Sequence, residues 1–359
     1  MVKRVYIAHG KAISLRVVAD QIAKVLEAND MICEVTNEFN VLSFRRLRYT
    51  GIIMVYPCDP VFASEFLGYY TIFKHAFGDR LIWYTTVEGY PHRVLASRPA
   101  WKYVEFVANS KFTMRMLSRV GLNVVDVVYH GIDPDEVRRA KLIGEDLRRK
   151  VKTDFKDKVV FGVVSSAHFR KGMDHLLHAI SLLDDDVRSR TVFLIISEPK
   201  IMSLLNQYSN IDNVFFVDEM GRRTHEEILG FMYACDYTVF PSMCEGFGLP
   251  VLESMAMGRP VIHCWFPPLS EFSSQEYNIT FPYTRVQEVY PTETGTGGIV
   301  FTLHRYRPED LAKAITTAVK IYLDNPSRYT LMCEKVQEIA MKYNIYELYR
   351  KFVDKMAKY

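Results

Sequence analysis

Short apolar runs rich in β-branched and aromatic residues alternate along the chain with segments whose apolar positions recur at helical spacing. That alternation predicts repeated strand-helix units around parallel sheets. In the first half the expected strands are residues 5–8, 52–56, 81–87, 103–108 and 124–129, each bounded by Gly, Pro, Asn or charged residues. His9 and Gly10 turn out of the first strand, and Leu15, Val18, Ile22, Val25 and Leu26 then share one helix face. Residues 135–158 are crowded with charge and sustain little apolar period, so they read as a linker.

A second series follows, with strands expected at 159–164, 191–196, 214–217, 237–240, 261–265 and 299–303. Helices are expected at 173–183 and 226–234, the latter opened by a capping box of Thr224 and Glu227. Residues 266–298 contain Pro267, Pro268, Pro282, Pro291, Gly295, Gly297 and Gly298 and read mostly as loop. Two closing helices, 309–323 and 327–358, carry enough apolar positions to pack on the body. The expected architecture is α/β, with two Rossmann-like doubly wound parallel-sheet domains. Residues 1–150 form the first, 151–335 the second, and 336–359 a C-terminal helix packing back toward the first. Ligands in such sheets bind beyond the carboxyl ends of the strands, which places a central cleft between the domains.

Composition narrows the class without choosing a chemistry. With 359 residues, 49% hydrophobic and 24% charged, the chain is neither disordered, collagen-like nor a small disulfide scaffold. Lys and Arg number 45 against 42 Asp and Glu, a net charge of +3, so no nucleic-acid partner is expected. The six cysteines are scattered without a C-x-x-C pair, which predicts neither a zinc site nor a redox motif but thiols in a reducing, cytoplasmic setting. No secretory leader is expected from the Met1-Val2-Lys3-Arg4 start, and no uncharged apolar run is long enough to span a membrane. Peripheral membrane contact stays open: Lys111, Arg115 and Arg119 lie beside Met114, Met116 and Leu117 on one amphipathic helix, although a solvated face is the plainer reading. Asp184, Asp185 and Asp186 likewise read as a solvated connection rather than a metal-binding Asp-x-Asp.

The chemistry concentrates in residues 241–260, P-S-M-C-E-G-F-G-L-P-V-L-E-S-M-A-M-G-R-P, which follow an expected strand. Gly246 and Gly248 permit a tight turn, and Pro250 suits the first turn of a helix. Amide groups free at that helix start would attract phosphate. Glu245 and Glu253 flank the turn as acceptors suited to vicinal hydroxyls. A turn offering amides to phosphate and carboxylates to hydroxyls suits a sugar nucleotide.

This Glu-x7-Glu segment resembles the signature of retaining glycosyltransferases of the two-domain GT-B type, most closely the family 4 group (glycosyl transferases group 1). Residues 107–112 and 127–133 resemble the end of that family's acceptor domain, and 159–172, closing in Arg170-Lys171-Gly172, the start of its donor domain. The resemblance implies a hexosyltransferase-like enzyme that needs no metal or other cofactor. Its substrate would be a nucleoside diphosphate sugar, UDP- or GDP-linked, and its acceptor a glycan, lipid or protein. It further implies that Glu253 binds the donor ribose and Glu245 hydroxyls of the transferred sugar. The backbone of Gly246, Phe247, Gly248 and Leu249 would meet the sugar or diphosphate, Lys171 would pair with the diphosphate, and Gly10 would let the first domain's backbone approach it. Two departures stand out. Ser165 occupies the place where relatives carry an Arg six residues before the Lys, which leaves Arg170 as a substitute if its side chain turns inward. Near the place of a relative's His stands Glu88, with His92 four residues on, and together with His9 these are the candidates on the acceptor side. A sugar-nucleotide 2-epimerase of the same architecture, or a non-catalytic sugar-nucleotide-binding module, are the competing readings.

Overall fold

The alternation in the sequence becomes two six-stranded parallel sheets in the computed structural model, which describes residues 3–37, 49–59, 64–208, 211–294 and 297–358. The first half supplies β1 (Lys3–His9), β2 (Met31–Thr36), β3 (Gly51–Val55), β4 (Leu81–Thr85), β5 (Gly89–Pro91), β6 (Glu105–Ala108) and β7 (Asn123–Val127). All but β5 join one sheet in the order β2-β1-β3-β4-β6-β7. The second half supplies β8 (Val159–Val164), β9 (Thr191–Ser197), β10 (Val214–Glu219), β11 (Tyr237–Phe240), β12 (Val261–Cys264), β13 (Ile279–Phe281), β14 (Arg285–Val289) and β15 (Ile299–Arg305). Its parallel sheet runs β10-β9-β8-β11-β12-β13. Strands β3, β4 and β9 are buried along their whole length, which is why they read as continuous apolar runs. In both sheets the order reverses at the first strand, so His9 ends β1 with Gly10 after it, and Ser165 follows the carboxyl end of β8, at the two switch points.

Several expectations need correction. The linker expected at 135–158 is largely a 21-residue helix, Pro134–Asp154. Its buried positions, Val137, Ala140, Gly144 and Val151, fall on one narrow stripe, while charge covers the rest and hides the period. Asp133 caps it by accepting a hydrogen bond from the Asp135 amide at 3.0 Å. Arg148 and Lys152 on this helix both pair with Asp236, a fully buried carboxylate that also accepts from the Val160 amide at 2.9 Å. The helix is thereby fastened to the second half through a carboxylate whose removal would leave both cations uncompensated.

The stretch 266–298 is loop and turn over about half its length, as expected, but it also carries two strands. It holds β13, at the edge of the second sheet, and β14, which pairs antiparallel with β15. Gly295 of that stretch lies outside the described residues. Strand β5 of the first half adds to the other edge of β15, with Gly89 opposite Phe301 and Pro91 opposite Ile299, so one small sheet is shared by both halves. The helix expected at 327–358 is broken into Pro326–Met341, Ile345–Leu348 and Arg350–Ala357, because Asn344 turns its side chain back to cap Tyr346. The last of these lies on the first sheet, with the Phe352 ring 5.2 Å from Tyr84 and Lys351 2.7 Å from Asp126.

The helix Lys111–Arg119 also differs from a merely solvated face. Arg115 and Arg119 reach Glu271 and Glu288 of the second half at 3.3 and 2.9 Å, and the Arg119 guanidinium lies 4.4 Å from the centre of the Tyr90 ring. Asp185 and Asp186 open a short helix and pair with Arg188 and Arg190, as a solvated connection should.

The junction helix crosses His225–Ala234 at close range: a Cβ on Gly144 would stand 2.8 Å from the Gly230 carbonyl oxygen and 2.8 Å from Tyr233. Gly144→Val therefore lowers stability by about 1–3 kcal/mol through overpacking. A lower urea midpoint at unchanged slope is the expected measurement, and an unchanged midpoint would contradict the crossing.

Candidate active site between the two sheets

Beyond β8 the chain makes a single 3₁₀ turn, Phe169–Lys171, capped by His168 and closed by Gly172 at φ 67°. A Cβ at Gly172 would meet the Pro241 carbonyl oxygen at 2.1 Å, so glycine is what lets this turn lie against the end of β11. The Met243 amide donates to the Arg170 carbonyl at 2.9 Å and fixes the two segments together.

That docking brings four charges into one buried cluster. Lys171 Nζ lies 2.5 Å from Glu245 Oε1, which also accepts from the Ser242 hydroxyl at 2.6 Å. Arg170 turns inward: one guanidinium nitrogen donates to the Cys244 carbonyl at 3.0 Å and stands 3.6 Å from Glu245, and the other reaches Glu88 at 2.9 Å. The Cys244 thiol donates to the Glu88 carbonyl. Burial works against the Glu245 charge, but Lys171 and Arg170 outweigh it and hold the carboxyl below its usual range. Burial, reinforced by the neighbouring Arg170 charge, draws the Lys171 ammonium down from its usual value against the pull of Glu245.

The turn that follows is gripped from the first half. The Gly246 carbonyl accepts from Ser110 Oγ at 3.2 Å and Thr113 Oγ1 at 3.4 Å. The Phe247 ring stacks on Phe272 at 4.9 Å and meets His130 edge-on at 4.9 Å. Gly248 caps the helix Leu249–Ala256, which carries Pro250 in its first turn and a buried Glu253. Glu253 belongs to a different pair from Glu245: its Oε1 is 2.9 Å from His225 Nε2, while His225 Nδ1 is 2.9 Å from Glu136 on the junction helix.

The remaining sequence candidates spread around this core. Gly10 donates its amide to the Val55 carbonyl at 3.0 Å, and His9, buried, turns Nδ1 to the Gly10 carbonyl at 2.8 Å. Ser165 is buried with its hydroxyl donating to the Ser166 carbonyl at 3.2 Å. His92 stands apart, at the shared sheet: its amide donates to the Gly298 carbonyl at 2.7 Å and its ring lies 6.0 Å from Tyr290.

Residues 145–280, which contain the turn at Lys171 and the Glu245–Glu253 segment, match the family model described as glycosyl transferases group 1. Uncharacterized glycosyltransferase 335 of Sulfolobus islandicus rod-shaped virus 1 is 34% identical over 345 residues, covering 95% of this chain and 97% of that one. The chain belongs to the group 1 glycosyltransferases. Among solved structures, Anabaena HepE in complex with UDP-glucose superposes with a TM-score of 0.68 at 16% identity, covering 99% of this chain and all of that one. The sucrose-phosphate synthase of Thermosynechococcus elongatus gives 0.68 at 16% identity, covering 97% of each chain. These likenesses establish the GT-B fold of this glycosyltransferase.

Sequence reasoning missed His225 and Glu136 as neighbours of Glu253, and Ser110 and Thr113 as supports of the signature turn. The capping box at Thr224 marks the start of the helix that carries His225, but nothing in the sequence says which way that ring faces. Glu136 was hidden inside the supposed linker.

Three buried histidines, of which His130 packs on the glycosyltransferase's signature turn, stay neutral. Burial lowers His130 to about 3 and His263 and His304 to about 4. Unfolding exposes imidazoles that take up protons below pH 6.5, which the native state refuses, so stability falls as pH drops from 7 to 5. The slope from each is at most about 1.4 kcal/mol per pH unit. Urea midpoints at pH 7, 6 and 5 should decline in order; a flat profile would contradict three neutral rings.

Proposed function

We propose that this glycosyltransferase is a retaining, metal-independent enzyme of the family 4 type that transfers a sugar from a nucleoside diphosphate donor, UDP- or GDP-linked. In this reading residues 1–150 hold the acceptor, with Glu88, His92 and His9 on that side, and residues 151–335 hold the donor. The observation that carries it is the convergence of Lys171 and inward-turned Arg170 on Glu245 at the carboxyl ends of the strands. Two fixed cations in a site shielded from water can stabilise the charge that builds on a departing diphosphate without a metal ion. Arg170 thus takes over the work of the cation missing at Ser165. HepE, of the same fold, is known with UDP-glucose, which supports a nucleotide-sugar donor here.

Each charged group then has a task. In the absence of donor, Glu245 and Glu88 serve as counter-ions of Lys171 and Arg170. A diphosphate takes over both cations and releases Glu245 to accept from hydroxyls of the sugar. Glu253 accepts from the ribose diol, and amides of Gly246, Phe247, Gly248 and Leu249 face the sugar and diphosphate beside Gly10 and Ser165. The leaving diphosphate stays on the face that the acceptor attacks and takes the acceptor proton, so the configuration of the anomeric carbon is kept without a protein nucleophile.

Release of nucleoside diphosphate from a panel of UDP- and GDP-sugars tests the assignment. Lys171→Ala should lower turnover about 10²–10³-fold, the usual effect of removing one group that stabilises transition-state charge, and Glu253→Ala should raise the donor KM. Unchanged kinetics in both would overturn the site. An inverted anomeric centre in the product, loss of activity in EDTA, or an epimerised sugar without transfer would overturn the retaining, the metal-independent and the transferase parts in turn. Glu88→Gln, which removes a competitor for Arg170, should tighten nucleoside diphosphate binding in calorimetry, and weaker binding would contradict the counter-ion role.

A further inference from the structure

His225 is held between two carboxylates, with Nε2 2.9 Å from Glu253 and Nδ1 2.9 Å from Glu136. An ionised carboxylate only accepts hydrogen bonds, so both contacts require an N–H on the ring, and the ring that carries two is the imidazolium. Its side chain is only 20% exposed, and the two carboxylates are 9% and 16% exposed. Burial opposes the charge, but Glu253 and Glu136 outweigh it and push the imidazole up to about 10. The ring also borders a cavity of about 430 Å³ lined in part by Lys24, Asp133 and Arg139. Asp133 is bonded there to Lys24 of the first half at 2.5 Å, and Arg139 to Glu226 at 2.7 Å. The neighbouring cations are thus engaged elsewhere, and His225 is the positive group bonded to Glu253.

We propose that His225 is a specificity-determining positioning residue that fixes Glu253 in the orientation needed to select a ribose diol over a deoxyribose. The inference rests on the reading of Glu253 as the ribose acceptor. By binding one carboxylate oxygen, His225 leaves the other aimed to accept from sugar hydroxyls. Glu136 holds the far side of the ring, which ties this orientation to the junction helix and, through Asp133 and Lys24, to the first half.

Calorimetric titration of the full chain with UDP and 2′-deoxy-UDP, and with GDP and 2′-deoxy-GDP, tests this. The wild type should prefer the ribonucleotide of the pair that binds by about tenfold or more, as for a hydrogen bond to a charged group. His225→Gln should reduce that preference to about threefold or less, because a neutral amide orients the carboxylate less firmly. Glu136→Gln, which leaves the His225–Glu253 contact in place, should reduce it less, and it serves as a second probe should His225→Gln not fold. A lost preference in His225→Gln together with unchanged deoxynucleotide affinity supports the proposal, since general damage would weaken both ligands alike. A preference kept in His225→Gln but lost in Glu253→Gln would overturn it while leaving the ribose reading intact. If His225→Gln does not fold, a full wild-type preference in Glu136→Gln would overturn it. No preference in the wild type would overturn both.

Discussion

Buried charge must be neutralised, and the centre of this molecule is organised around that demand. Arg170, Lys171, Glu245 and Glu88 are withdrawn from most of the solvent, and each has an opposite charge within hydrogen-bond distance. Removing Glu245 would strand the Lys171 ammonium, the costliest single loss in the cluster, whereas Arg170 and Glu245 each keep a second opposite charge when one partner is removed. Such a cluster is weak as a stabilising device and suits the anion-receiving role proposed for it. The counter-ions are already on carboxylates that can be exchanged, and the cations are already desolvated. Three of the four groups come from the second half and Glu88 from the first, so the charge balance closes only when the two halves are together.

What keeps them together is a set of attachments that differ in kind. Hydrogen bonding of β5 to β15 continues a sheet from one half into the other. Arg115 and Arg119 add cross-half ion pairs beside it. The helix Arg350–Ala357 returns the chain end to the first sheet through Phe352 and Lys351. The junction helix is pinned to the second half by the double pairing at Asp236 and to the first by Lys24 and Asp133. Exposed pairs contribute little each, whereas the pairing at Asp236, which is fully buried, resists separation because withdrawing the helix would take both of its cations away at once.

The parts of this arrangement legible in the sequence are those in which one residue type has one use. Continuous apolar runs such as β9 and β11 are buried on both faces and cannot be much else. Residues 245–250 are readable because glycine, proline and carboxylate each carry a specific constraint there. The missed elements had divided signals. β2 alternates exposed with buried or half-buried positions at a sheet edge, β14 is mostly exposed or half-buried, and β5 is three residues whose pairing partner lies some two hundred positions away. Pro134–Asp154 buries so narrow a stripe that its charged faces dominate the pattern. Within the site, the positions of Glu245 and Lys171 were legible, while the contacts of Glu253 were not, since His225 and Glu136 meet only through the tertiary packing of three helices.

In the proposed reading Arg170 absorbs a departure from the family pattern by geometry. Successive residues of a 3₁₀ turn project about 120° apart, so adjacent side chains rarely serve one target on a regular helix face. Here the turn is pressed against Pro241 by the close approach at Gly172, and it presents Arg170 and Lys171 to Glu245 from two sides. A cation six residues upstream would approach from the end of β8, where Ser165 instead spends its hydroxyl on a neighbouring carbonyl. The charge delivered to the centre is the same, but it arrives on a guanidinium already bonded to the Cys244 carbonyl and to Glu88. A planar donor held at two points cannot follow a ligand as a free lysine could, so in the proposed reading an incoming diphosphate must come to it. That rigidity makes the position of the anion, rather than the movement of the cations, the quantity the fold controls.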